Sequence, residues 1–212
     1  APVLDRSRRA MKDVVVTGAT GFVGRHLRRA LGTSGYRARG LARSATGNDT
    51  GLVQVDYDDA ASLSGAVAGA DCVVHVAGLA HVDPRQFADP EAAFRAANVV
   101  VACNVARACV SSGVPRLVLL SSAGVLGTES PAGGFTDDSP ARPHDPYTRS
   151  KLAAEREVAD IAEASGLGLT ILRPPMIYGP GAPGSFARLS RMLDSGWPLP
   201  VGAIGMRRSL IG

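Results

Sequence analysis

Short apolar runs rich in β-branched residues alternate along the chain with longer stretches whose apolar residues recur at helical spacing. Residues 13–17, 36–42, 52–55, 72–76, 116–121 and 169–172 read as strands, and 22–31, 59–68, 90–111 and 146–164 as helices. Strands separated by helices predict right-handed crossovers and an α/β fold built on a parallel, doubly wound sheet. The uninterrupted runs Val14-Val15-Val16 and Leu117-Val118-Leu119-Leu120 predict strands covered on both faces. Between Gly124 and Asp145 the pattern lapses into Gly, Pro, Ser and Asp, which predicts a long loop of the kind that covers a site. Beyond Pro174 the chain turns rich in Gly and Pro and offers one short helix at 185–195. It reaches Gly212 through Arg208-Ser209-Leu210-Ile211, which reads as the opening of a strand.

With 212 residues, 45% of them hydrophobic and 20% charged, the chain is sized for one globular domain with a sizeable core. No apolar run approaches the length of about 18 residues that a membrane span needs. Nor does an apolar stretch follow the arginines of residues 1–10 as a signal peptide would require. The expectation is a cytoplasmic protein with no membrane contact, in which Met11 is the natural start and residues 1–10 are an upstream segment. Cys72, Cys103 and Cys109 are odd in number, lie in apolar surroundings and lack CxxC spacing, so they read as buried free thiols, and no metal site is predicted. The net charge of +4 suits an anionic partner. The arginines are scattered rather than gathered with aromatic residues into a stripe, which points to a small ligand and away from nucleic acid.

Only two of the 23 basic residues are lysines, and one of them stands four positions after a tyrosine, in Tyr147-Thr148-Arg149-Ser150-Lys151. On a helix that spacing sets an ammonium one turn from a phenol. A phenol ionises near pH 10 in water, and a cation within about 4 to 6 Å favours its phenolate. Tyr147 is therefore expected to act as a base near neutral pH. The alternative is a solvated helix face, which would not call for a lysine in a chain that otherwise uses arginine.

Thr17-Gly18-Ala19-Thr20-Gly21-Phe22-Val23-Gly24 closes a predicted strand and opens a predicted helix, the context that makes a glycine pattern a phosphate site. Gly18 permits the tight turn, Gly21 lets the backbone approach a pyrophosphate, and Gly24 lets helix and strand pack closely. Amides around Thr20, Phe22 and Val23 then face the anion. Residues 11–173 are read as a Rossmann dinucleotide-binding domain, and 174–212 as the start of a small substrate-binding region in a chain cut short. Such a domain usually ends its second strand with an acid on the adenosine ribose, but here Ala42 and Arg43 stand there. The cofactor is accordingly NAD or NADP, with NADP favoured because Arg43 suits a 2′-phosphate; the alternative is a solvated Arg43. Asp56 and Tyr57, after the third strand, are placed along the adenosine, or else Asp56 shapes a strand-end turn.

Three further segments follow predicted strands: His75-Val76-Ala77-Gly78, Leu120-Ser121-Ser122-Ala123-Gly124-Val125 and Arg173-Pro174-Pro175-Met176-Ile177-Tyr178-Gly179-Pro180. With the glycine loop and the Tyr147/Lys151 pair, in this order and spacing, they resemble the extended short-chain dehydrogenase/reductase family, the NAD-dependent epimerases and dehydratases of nucleotide sugars. The wording is nearest to the UDP-glucose 4-epimerase-like branch. The resemblance implies that Ser122 polarises the reacting oxygen, Tyr147 exchanges the proton, Lys151 holds the nicotinamide ribose and Asn98 supports them. It sets Ala77, Gly78 and Leu79 along the cofactor, Pro175 and Ile177 near the nicotinamide, and Met176 and Arg208 against the substrate, with Arg208 on its diphosphate. It also implies a homodimer built on helices 90–111 and 146–164, with Val101 and Val105 at outer positions; core packing is the alternative.

Departures from the family pattern narrow the chemistry. The family's dehydratases follow the motif hydroxyl with an acidic pair, whereas Ser122 is followed by Ala123-Gly124, so elimination of water is not expected. Leu126 replaces the motif tyrosine, and Met176 stands where many members carry an asparagine, which leaves the sugar open. His75 is assigned to the core, His81 to the cleft rim, and Asp137-Asp138 to a solvated turn. The implied activity is reversible hydride transfer at C4 of a UDP-hexose, as in a 4-epimerase. An NADPH-dependent 4-ketoreductase of a UDP-4-keto-6-deoxy sugar would use the same residues. A non-catalytic dinucleotide-binding sensor is the reading from another class, and the joint presence of Ser122, Tyr147 and Lys151 speaks against it.

Overall fold

The β-branched runs pair as one parallel sheet in the structure, a computed structural model that describes residues 12–44, 49, 51–184, 191, 192, 194, 195 and 209–212. Its strands are β1 (Asp13–Thr17), β2 (Arg37–Ala42), β3 (Leu52–Gln54), β4 (Cys72–His75), β5 (Arg116–Leu120) and β6 (Gly168–Leu172). They lie in the order β3-β2-β1-β4-β5-β6. The order reverses between β1 and β4, so the loops leaving these two strands diverge and open a crevice at their carboxyl ends, where ligands of such sheets bind. Two short strands beyond the sheet, β7 (Met176–Ile177) and β8 (Leu210–Ile211), pair in parallel with each other.

Helix α1 (Phe22–Thr33) packs on β1 and β2. On the other side lie α2 (Ala60–Val67), a continuous helix made of α3 (Pro90–Phe94), a π-helical segment Arg95–Val100 and α4 (Val101–Ser111), and finally α5 (Pro146–Ser165). Asp59, Asp89 and Asp145 cap α2, α3 and α5 by accepting from backbone amides, and Gly166 ends α5 in the left-handed region at φ 75°. The core is the seam between the sheet, through Val15, Leu41, Val73, Leu117 and Leu119, and the helices, through Val99, Val105, Cys109, Ala154 and Val158. All three thiols are free and buried. Pro90–Ser111 is long and apolar enough by composition to cross a membrane, which the absence of one uninterrupted apolar run had not suggested; more than half of that stretch is buried within the fold.

Two expectations change. Val101 and Val105 are 4% and 0% exposed, inside the chain's own core, so neither offers an outer surface. Helical spacing from the buried Asn98, three and seven residues back, sets both on the face toward the sheet. Cover on both faces holds at β1, whose Val14, Val15 and Val16 are buried, but not at β5 and β6, where Val118 is half-buried and Leu172 is 47% exposed. Among the described residues no helix lies over that side of β5 and β6. The helix expected at 185–195 falls largely outside the described residues.

The start of α5 carries the most elaborate cap. Thr148 donates its amide to Asp145 Oδ1 at 2.7 Å, and Asp145 returns its own amide to Thr148 Oγ1 at 3.1 Å. Thr148 is buried, so Asp145→Ala leaves an unsatisfied amide at the turn that presents Tyr147. We expect a loss of about 1 kcal/mol of unfolding free energy, measured by urea denaturation.

Candidate active site

The glycine loop is shaped by backbone crowding. Gly18 has φ +63°, and a Cβ on it would lie 2.7 Å from Ala77 Cα; at Gly24 a Cβ would lie 2.2 Å from the Gly18 carbonyl oxygen. Only glycine permits these approaches. Helix α1 begins after Gly21 with no side-chain cap and no acid in its first turn, so its leading amides are left to an anion. A cavity of about 300 Å³ runs from Ala42, Arg43 and Tyr57 past Thr20 and Gly21 to Ala77. It shares Gly18, Gly21, Gly78 and Leu79 with a second, of about 270 Å³, that passes Phe22 and Val23 and ends at Tyr147, Lys151 and Ile177. An elongated cleft with open amides at its middle and no acidic lining at its outer end fits a dinucleotide with its pyrophosphate on the glycine loop.

Tyr57 is a strut at the adenosine end. Its buried hydroxyl accepts from the Gly18 amide and donates to the Leu41 carbonyl, both at 3.3 Å, and burial pushes its pKa up. The Arg43 guanidinium lies 5.9 Å from the centre of the Tyr57 ring, at the cavity wall. Asp56 is not brought to the cavity. Its carboxylate turns outward to accept from the Asp58 amide at 2.9 Å, a local turn bond available to any aspartate at a strand end.

At the inner end, the Ser122 hydroxyl stands near enough to the Tyr147 phenol to favour its ionised form, and the Tyr147 ring meets Phe94 edge-on at 6.2 Å. Ser122 Oγ accepts from the Gly124 amide at 3.1 Å, so it caps the turn after β5. Lys151 follows one turn later on α5 and is buried. Burial lowers its pKa to about 8, and the Glu155 carboxylate opposes that shift. The expected depression of the phenol does not appear. Burial raises the Tyr147 pKa first, the Ser122 hydroxyl pulls it down, the Asp145 carboxylate adds to the rise, and Lys151 is not among the causes. Removing a phenolate from water outweighs the nearby donor. Near neutral pH Tyr147 therefore holds its proton, and Lys151 is largely an ammonium.

Asn98 lies in the π segment and touches none of these groups' reacting ends. Its Oδ1 accepts from the Leu79 amide at 2.6 Å, while its Nδ2 donates to the Leu79 carbonyl at 3.1 Å and to Ser150 Oγ at 2.9 Å. It thus joins the loop after β4 to the helix bearing Tyr147 and Lys151, a positioning role. Pro174 and Ile177 line the cleft, whereas Pro175 and Met176 do not. Arg208 lies outside the described residues. His81 lines the rim at φ +59°, the one non-glycine residue with positive φ among the described residues. Leu126, in the motif tyrosine's place, is buried in a small apolar cluster with Val125 and Leu152.

Thr17 and His75 form a buried pair that inspection of motifs missed, although both end neighbouring strands and pair in register. Thr17 Oγ1 accepts from the amides of Val76 and Ala77, each at 3.2 Å, and lies 2.8 Å from His75 Nδ1. With both acceptor sites taken, the hydroxyl proton goes to Nδ1, and the neutral ring carries its own proton on Nε2. Burial, aided by the Lys151 charge, lowers the His75 pKa to about 3.

Comparison with known proteins agrees with this geometry. A model of the NAD dependent epimerase/dehydratase family matches residues 14–198. The chain belongs to this family. It is 34% identical over 209 residues to the UDP-glucose 4-epimerase of Vibrio cholerae, an alignment covering 96% of this chain and 64% of that protein. The solved structure of MoeE5 in complex with UDP-glucose and NAD matches with a TM-score of 0.75 at 34% identity, over 88% of this chain and 62% of that one. DesIV, a dTDP-glucose 4,6-dehydratase from Streptomyces venezuelae with NAD and TYD bound, matches with a TM-score of 0.78 at 27% identity, over 93% and 67%. The chain thus spans less than two thirds of the length of the epimerase and of MoeE5. The parallel sheet is that of the epimerase/dehydratase family.

The His75 pKa has a consequence for stability. Its folded value, about 3, lies below the ordinary 6.5, so the unfolded chain binds a proton between these limits that the folded chain does not. The stabilising contribution is full above about pH 6.5 and is lost as pH falls toward 3. Urea denaturation from pH 7 to 4.5 is expected to show His75→Asn losing less stability than the unaltered protein; equal losses would contradict the buried neutral ring.

Proposed function

We propose that the protein is an NAD(P)-dependent nucleotide-sugar epimerase/oxidoreductase of the UDP-hexose 4-epimerase type, acting by reversible hydride transfer at the sugar C4. The observation that carries this reading is the convergence of Tyr147 and Lys151, one turn apart on α5, at the inner end of a cleft that also holds Gly18 and Gly21, with Ser122 beside the phenol at the end of β5. The similarity to an epimerase and to a UDP-glucose-binding structure supports a nucleotide sugar as the substrate.

In this reading the amides at the start of α1 bind the cofactor pyrophosphate, and the Lys151 ammonium holds the nicotinamide ribose. The nicotinamide, when bound, supplies the hydride acceptor and donor. Ser122 gives a hydrogen bond to the sugar oxygen, and Tyr147 moves the proton at that oxygen. A phenol that holds its proton at neutral pH is ready to protonate a carbonyl oxygen as it is reduced, and the phenolate so formed accepts the proton of a sugar hydroxyl when the same path runs backwards as oxidation. Ala123 and Gly124 offer no acid to a leaving hydroxyl, so the intermediate is returned rather than dehydrated.

The second reading, a ketoreductase using NADPH on a UDP-4-keto-6-deoxy sugar, draws support from Arg43 in a cavity end that holds no carboxylate. The homodimer suggested by the family resemblance would need exposed apolar residues such as Val100 and Val110 in place of Val101 and Val105.

Full-length protein incubated with UDP-hexoses and NAD, and separately with UDP-4-keto sugars and NADPH, discriminates the two. We expect UDP-glucose and UDP-galactose to interconvert without net consumption of cofactor; stoichiometric oxidation of NADPH would establish the reductase. Tyr147→Phe is expected to lower kcat by about 10²- to 10⁴-fold with cofactor affinity unchanged, and undiminished turnover would refute the assignment. Arg43→Ala is expected to weaken NADP relative to NAD by about tenfold in binding titrations, the scale of one lost charge-assisted hydrogen bond.

A further inference from the structure

Glu155 lies one helical turn beyond Lys151 on α5, and the two are 3% and 6% exposed. Side chains four apart on a helix are neighbours. A carboxylate so far from water persists as an anion only where partners replace the lost hydration. One partner is Arg173, whose Nε lies 3.0 and 3.2 Å from the two carboxylate oxygens and whose Nη2 lies 2.6 Å from Oε2. Arg173 directly follows β6 and precedes Pro174, which lines the cleft and whose carbonyl accepts from the Ala123 amide at 2.9 Å, beside Ser122. The bidentate pair therefore ties the Lys151 turn of α5 to the chain that flanks Ser122. Lys151 stands one turn back on the same helix and is buried with it, beyond direct ion-pair contact but within reach of the carboxylate's field.

We propose that Glu155 is a positioning residue that keeps the Lys151 ammonium charged at the cofactor end of the site, with Arg173 fixing where the carboxylate stands. Its importance for cofactor binding rests on the reading of Lys151 given above, but the coupling between the two side chains does not.

The groups facing Lys151 make the direction unambiguous. From β4 comes His75, neutral; from its own helix Tyr147, protonated, and Glu155; from the π segment Asn98, uncharged. Arg173 spends its charge on Glu155 and is faced in turn by Asp137 of the long loop. Among the described residues Glu155 is the anion that acts on Lys151, and it opposes the effect of burial. Without it burial stands unopposed, and Lys151 gives up its proton at lower pH. Simple loosening of the fold would move Lys151 the other way, because access to water restores the ordinary lysine value of 10.5.

The sequence contains two lysines, so protein labelled with ¹³C at lysine Cε gives two signals, separated with Lys12→Arg, and each titration is read by NMR. In Glu155→Gln the Lys151 midpoint is expected to fall by about one pH unit, a tenfold change in the ratio of ammonium to amine, while that of Lys12 stays fixed. The pH at which cofactor affinity declines should fall with it. If Glu155→Gln does not fold, Glu155→Asp draws the charge back by one methylene and is expected to produce a smaller fall. A Lys151 midpoint that stays or rises in the variant that folds overturns the proposal. A midpoint that falls while cofactor affinity shows no matching pH dependence upholds the coupling and overturns the assignment of Lys151 to the cofactor.

Discussion

Where β1 and β4 end side by side, the Thr17 hydroxyl gathers the His75 ring and the amides of Val76 and Ala77. This bundle draws the loop after β4 against the glycine turn until Gly18 has no room for a Cβ. The continuity of the cleft depends on it, since Gly18, Ala77, Gly78 and Leu79 form the stretch between its two ends. Asn98 braces the same loop from behind through both backbone groups of Leu79, and reaches Ser150 on the helix of Tyr147 and Lys151. A π turn at that point lets a long helix hold Asn98 toward the loop while its following residues face the sheet, a local irregularity common at functional sites.

Burial of the side chains at the inner end of the cleft governs their protonation states. Burial acts against every charged form: it raises Tyr147, lowers Lys151 and keeps His75 neutral. The result is a protonated phenol, a neutral imidazole and an ammonium held by Glu155, with Arg173 balancing the carboxylate. Such a site presents its protons at defined atoms, which suits the hydride chemistry proposed above.

Much of this was legible in residue order. The strands followed β-branched runs, the glycine loop lay between a strand and a helix, and Tyr147 and Lys151 declared themselves by spacing in a chain poor in lysine. What stayed hidden depends on tertiary neighbours. Tyr57 looked like a residue beside adenine, but its role as a strut comes from contact with Gly18 and Leu41. Val101 and Val105 looked outward because that helix carries apolar residues on both faces, with Val100 and Val110 the exposed ones, and spacing alone does not tell which face is covered. The phenol was expected to be acidic because spacing reveals a cation one turn away and reveals nothing of the desolvation that outweighs it. Glu155 and Arg173, 18 residues apart, became a pair only when β6 was laid beside β5.

The central claim of the proposed function is that the hydrogen at the sugar C4 leaves and returns as hydride. Full-length protein incubated with NAD and UDP-galactose carrying deuterium at C4 tests it directly, with the product followed by NMR. The account predicts UDP-glucose that retains deuterium at C4; loss of that deuterium to solvent during conversion would contradict it.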